Sequence, residues 1–171
     1  MSFWSTITET PGQTKQSILF TEGVTFTVNA AADEVFDAIT DFPNYGRWNT
    51  WSPSFKFDGG DGPKAGSQGV LSAVALKRNY TLPVRIIKLE SSPDKHVLAF
   101  RGLLLPSWVA VVERVHVVVP AADGRSCEVT SWESMGGWGA YILKFFFSAV
   151  LQVKDANEKF SADLKLYMEN K

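Results

Sequence analysis

Sulfur and imidazole are scarce in this chain: its 171 residues include one cysteine, Cys127, and two histidines, His96 and His116. A single thiol excludes an intramolecular disulfide and fits a reducing compartment. Two imidazoles and one thiol make no closed nitrogen and sulfur metal site, and no cofactor is expected. Charge of one sign is not in surplus either, with 17 Lys and Arg against 18 Asp and Glu and no basic run longer than Lys77-Arg78. The electrostatic footprint of a nucleic-acid binder is therefore missing. The longest apolar run, Tyr141 to Val153, is interrupted by Lys144 and Gln152 and falls short of the roughly 20 residues a membrane span needs. The opening MSFWSTITETPGQTKQ is polar where a signal peptide has its apolar core, so the expected address is the cytoplasm. GGDGPKAG lacks the Gly-Lys-Ser/Thr ending of a phosphate loop, and AGSQG leads into a strand where a nucleophile elbow needs a helix.

Aromatic mass, by contrast, is abundant: six Trp and twelve Phe in a chain otherwise ordinary for a globular domain. At this length one domain can bury its own core. Much of the aromatic mass gathers in TDFPNYGRWNTWSP, residues 40–53, where Pro43, Asn44 and Gly46 interrupt the backbone among Phe42, Tyr45, Trp48 and Trp51. Such a stretch either borders a ligand entrance or clamps one end of a fold.

ILFTEGVTFTV, residues 18–28, reads as a strand. A cap-like Asn29, then Asp33 and Glu34, then Val35, Phe36 and Ile39 at helical spacing predict a short helix ending near Phe42. GVLSAVALK, YTLPVRIIKLES, HVLAFRG and WVAVVERVHVVVP follow as strands, AADGRS is a hairpin turn, and CEVTSWESM is the last strand. From Ala140 the period changes. Ile142, Phe146, Ala149, Val150, Val153, Phe160 and Leu164 recur every three or four residues, the pattern of a helix with one buried face. At about 1.5 Å per residue that helix would run roughly 45 Å, enough to cross a sheet. The expected organisation is an N-terminal segment over 1–17 and a single α+β domain over 18–171, with about five or six antiparallel strands closed by the terminal helix. A curved sheet gripped by one helix leaves a hollow suited to an apolar ligand.

FTVNAAADEVFDAITDFPNYGRWNTWSP resembles the opening of the START-like helix-grip superfamily. That superfamily includes polyketide cyclases, START-type lipid carriers, coenzyme Q-binding proteins and plant pathogenesis-related ligand binders. HVVVPAADGRSCEVTSWESMGGW is similar to its late hairpin, with His116, Glu133 and Gly137 at the patterned places and Met135 where the family usually has Phe. NEKFSADLKLYMEN resembles its terminal helix, Asn157 included. The resemblance covers most of the chain from about residue 20 onward. It implies a curved antiparallel sheet around a long C-terminal helix, with two short helices after the first strand, and a fold that hosts carriers, receptors and enzymes alike.

His116 and Glu133 are the candidate acid/base pair. A turn centred on Gly124 and Arg125 sets them opposite each other with Cβ atoms about 5 Å apart, where a carboxylate would fix the imidazole tautomer for proton transfer. A turn centred on Asp123 and Gly124 instead sets His116 opposite Ser131, and which face the pair occupies is open. Arg101, Glu113 and Arg114 follow. A strand Arg facing the hollow would anchor a carbonyl or carboxylate, but Glu113 and Arg114 point to opposite faces, so at least one should be solvated. Trp48, Trp51, Trp108, Trp132 and Tyr141 are candidate ligand-lining aromatics, with Trp48 packed inward to name the fold. Asn157, on the helix's apolar stripe, either ties helix to sheet or meets a ligand oxygen. His96, after SSPDK, is expected at the surface, and GGWG most simply turns the last strand into the helix. The leading function is a cofactor-independent cyclase, dehydratase or isomerase on a small hydrophobic, oxygenated, polyketide-like molecule. The alternative is a non-catalytic carrier or sensor of a lipid, quinone or similar ligand.

Overall fold

Alternation of apolar and polar residues dominates the chain. The computed structural model, which describes residues 1–58, 63–75, 78–142 and 153–170, turns that pattern into an eight-stranded sheet. Its strands are β1 (Ser2–Trp4), β2 (Ile18–Val28), β3 (Ser54–Phe57), β4 (Gln68–Ala75), β5 (Arg78–Ser91), β6 (His96–Gly102), β7 (Val111–Pro120) and β8 (Cys127–Gly136). Helix α1 (Ala32–Thr40) and a 3₁₀ turn (Phe42–Arg47) join β2 to β3, and α2 (Val153–Glu169) follows β8. The order is β1-β2-β8-β7-β6-β5-β4-β3, each pair antiparallel. The strand count exceeds the sequence expectation because the short β1 and β3 add themselves at the two edges. This is the helix-grip fold, a curved antiparallel sheet with a long C-terminal helix. Phe146, Ala149 and Val150, assigned from the sequence to the first half of the terminal helix, lie outside the described residues.

Register shifts between Ile18 and Phe20 on β2 and between Ile86 and Lys88 on β5 mark bulges, which bend strands and help curve a sheet. The helix-facing side carries Val24, Phe26, Ile86, Leu98, Val118 and Val129, packed with Phe160 and Leu164 of α2 in one core. The alternate residues Val97, Ala99, Val115 and Trp132 form a smaller cluster on the other side, with Trp4 against it. Among the described residues no helix is long and apolar enough to cross a membrane.

The start of α1 departs from the sequence reading, and its end agrees with it. Ala31 takes the extended cap conformation without a side-chain capping bond. Asn29 instead donates from Nδ2 to Glu169 Oε1 of α2 at 3.0 Å, because helix 153–169 ends beside it. The helix stops at Thr40, and Pro43 sits in the first turn of the 3₁₀ segment, where its missing N–H costs nothing. His96 is another correction: it is 2% exposed. Its ring stacks on Phe36 at 4.9 Å, Nδ1 meets Ser91 Oγ at 2.9 Å and Nε2 lies 3.3 Å from Asp33, so three partners draw it inward from the turn.

Residues 5–17 are tied to the outer side of the sheet. Thr10 Oγ1 and Gly12 N donate to Glu113, Gln13 Nε2 donates to the Ser134 carbonyl at 3.3 Å, and Ser134 Oγ donates to the Thr8 carbonyl at 2.9 Å. Arg101 donates from Nε to Glu113 Oε1 at 2.7 Å. With this strap across it, Glu113 is fully buried.

Candidate ligand-binding site

The β7–β8 hairpin decides which side chains meet. Asp123 Oδ1 accepts hydrogen bonds from the backbone N–H of Arg125 and Ser126 at 2.9 and 3.0 Å, Gly124 takes φ 63°, and the Ala121 N–H reaches the Ser126 carbonyl. The loop therefore spans Ala121 to Ser126. His116 stands opposite Ser131, and Glu133 stands opposite Arg114. The His116–Glu133 pairing is not formed; the register differs from it by two residues because Asp123 organises the turn around itself.

His116 faces α2. It is 2% exposed, stacked on Phe160 with ring centroids 4.6 Å apart and tilted against Phe100 at 5.9 Å. Burial, and then the nearby Arg114 cation, push its pKa down to about 3, so the ring is neutral near neutral pH. Its Nδ1 has no hydrogen-bond partner among the described residues.

Arg114 holds the centre. Its Nε donates to Glu133 Oε2 at 3.3 Å, its Nη1 donates to Asn157 Oδ1 at 3.0 Å, and its Cζ lies 5.4 Å from the centroid of a Trp51 ring. Its Nη2 is buried and has no partner among the described residues. The side chains of Arg114 and Glu133 are 5% and 12% exposed. Neither Glu113 nor Arg114 is solvated, contrary to the sequence expectation, because the strap covers one face and α2 the other.

Among the described residues, Arg114 and Glu133 are the charged groups on the wall of an apolar hollow, about 80 Å³ of which is open to the centres of water-sized groups. Leu71, Leu82, Val84, Phe100 and Val112 supply its apolar surface, and Trp51 flanks Arg114. Of the sequence candidates, Glu133 and Trp51 lie on this wall, and Asn157 reaches Arg114 from α2 while being 1% exposed. The rest lie elsewhere. Trp48 is a core residue between Tyr45 and Phe160. Trp132 faces out against Trp4, as the strand neighbour of an inward Glu133 must. Arg101 is on that outer side too, taken by Glu113. Trp108 is 72% exposed and pairs with Trp138, and Tyr141 is 63% exposed and meets Phe20 edge-on. Gly137, at φ 86° and packed on the Val109 carbonyl, serves the turn. Arg114 is the charged wall residue that the sequence reading left out of its chosen set. Strand parity could have found it, since it lies two residues from His116 and shares its face.

Residues 23–169 match the model of a family described as polyketide cyclase / dehydrase and lipid transport. The chain belongs to that family. The family's fold is one that binds hydrophobic ligands. None of the curated proteins compared with the chain matches it. Among solved structures, a START superfamily protein from Mycobacterium smegmatis is similar at TM-score 0.65 and 15% identity, over 88% of this chain and 97% of that one. Norcoclaurine synthase from Thalictrum flavum, in complex with dopamine and hydroxybenzaldehyde, is similar at TM-score 0.63 and 14% identity, over 91% of each chain. The Zhui aromatase/cyclase from a Streptomyces species is similar at TM-score 0.55 and 17% identity, over 67% of this family member and 66% of that chain. At these identities the likeness is one of fold.

Proposed function

We propose that the protein binds a small, largely apolar molecule carrying an oxygen, with its apolar body in the hollow and its oxygen at Arg114. The observation that carries this reading is the Nη2 of Arg114, buried beside an apolar wall and without a partner among the described residues. A guanidinium donor left unmade in such a place is costly, and a ligand oxygen relieves that cost. The family's hydrophobic-ligand fold supports the same reading.

A catalytic reading rests on Glu133. A carbonyl held at Arg114 brings its neighbouring C–H groups near the Glu133 carboxylate, 3.3 Å from Arg114 Nε. Glu133 would take the proton, Arg114 would hold the enolate oxygen, and the return of the proton elsewhere is isomerisation; attack by the enolate carbon on a second carbonyl is cyclisation. In this version Glu133 and Arg114 do the work expected from the sequence of His116 and Glu133, and the buried neutral His116 packs behind them. The aromatase/cyclase and the norcoclaurine synthase of the same fold support an oxygenated aromatic as the ligand class.

One experiment separates the readings. In deuterium oxide, proton NMR of acetonaphthone with the protein should show ligand broadening from binding, and loss of the methyl signal if Glu133 acts as base. Exchange that is abolished in Glu133→Gln, with binding kept, supports catalysis. Binding without exchange supports the carrier, and no binding overturns the proposal.

A further inference from the structure

The arrangement around Arg114 leaves little freedom in how a ligand can meet it. Nε is engaged by Glu133, Nη1 by Asn157, and the guanidinium lies against a Trp51 ring. Among the described residues Nη2 has no partner, and Nη1 keeps one N–H beyond the bond to Asn157. A carboxylate binds arginine best through two parallel N–H donors on neighbouring nitrogens. Glu133 closes the Nε edge to it, and at the Nη1–Nη2 end its second oxygen would have to share Nη1 with Asn157.

Charge balance points the same way. Arg114 and Glu133 form a pair of net charge zero on the wall of the hollow. Glu22 of β2, the cross-strand neighbour of Glu133, is exposed and lines with Lys154 a separate groove bordered by Phe3 and Trp4, so neither alters the balance in the hollow. His116, neutral and buried, brings no positive charge. An anion entering the hollow would make one buried charge too many, and an uncompensated charge in an apolar site is strongly disfavoured. Moving Glu133 aside to admit it would strip Arg114 of its partner. A carbonyl oxygen meets neither obstacle: it takes one charge-assisted hydrogen bond from Nη2 and adds no charge.

We infer that the site selects a neutral carbonyl oxygen, as in a ketone, quinone or ester, over a carboxylate, and that Glu133 sets this selectivity. The inference rests on the proposed ligand site and names the class of molecule that site takes. It separates ketone-like intermediates and quinones from free fatty acids, all of which are apolar bodies with an oxygenated end.

Acetonaphthone and naphthoate share a ring system and differ in this one group, and both can be titrated against the full chain at neutral pH by fluorescence or calorimetry. In the unaltered protein the ketone should bind at least about tenfold more tightly than the carboxylate. Glu133→Gln keeps an acceptor for Arg114 Nε and removes the negative charge. It should retain ketone binding, which also reports that the site is folded, and should narrow or invert the preference by about tenfold. Equal affinities in the unaltered protein, or tighter carboxylate binding, overturn the selectivity and leave the ligand site standing. A preference unchanged in Glu133→Gln overturns the role of Glu133. If neither compound binds the unaltered protein, it is the ligand site itself that fails.

Discussion

His116 is the residue whose behaviour in solution follows most directly from its surroundings. Its pKa is about 3 in the fold, against 6.5 for the free side chain. Between those values the unfolded chain binds more protons than the native one, so stability rises with pH through this window and is lost as pH falls. One such group changes stability by roughly 1.4 kcal/mol per pH unit inside the window. The urea midpoint should therefore fall from about pH 7 to about pH 4.5, and fall less in His116→Phe, whose ring can keep the stack on Phe160. An equally steep fall in the variant would show that His116 is not the group responsible. The strand that carries His116 was legible in the sequence as WVAVVERVHVVVP, which runs on to the turn. The residue opposite His116 was not. AADGRS permits two turns, and the choice depends on Asp123 bonding to Arg125 and Ser126, which composition does not reveal.

At the scale of elements, the strap formed by residues 5–17 explains why Arg101 does not serve a ligand. Arg101 and Glu113 are paired across β6 and β7, with the Glu113 carboxylate also accepting from Thr10 and Gly12. Arg101→Met leaves that carboxylate at 0% exposure with only its neutral donors. Because those donors remain, the loss should be roughly 2–4 kcal/mol of stability in urea denaturation. Affinity for acetonaphthone should stay unchanged, since Arg101 is on the other face of the sheet; a loss of affinity at unchanged stability would put Arg101 back on the ligand's side. Strands β2 and β4 to β8 were legible because each carries its own period. Residues 5–17 have neither strand nor helix periodicity, and what holds them is a set of polar contacts to Glu113 and Ser134, far away in sequence. Arg114 was obscured for the same reason: with one face of β7 assumed to be wet, a buried Arg beside a buried Glu looked excluded.

For the molecule as a whole, the hollow depends on what each strand leaves out as much as on what it supplies. Gly102, at the end of β6 opposite Val84, forms part of the wall. A Cβ built there would meet only the Val112 carbonyl oxygen at 3.8 Å and Cβ at 3.9 Å, which is ordinary contact. Gly102→Leu should thus be accommodated by the backbone and extend into the hollow. Burying the new side chain contributes about 1.5–3 kcal/mol at most, less any strain from fitting it, so stability should hold or rise. Acetonaphthone binding should weaken at least about tenfold, because ligand and leucine compete for the same space. Arg114, Glu133 and Asn157 are untouched by this change, so the result isolates the apolar half of the site from its polar end. A variant that binds as tightly as the unaltered protein would mean the ligand is held outside the grip of sheet and helix.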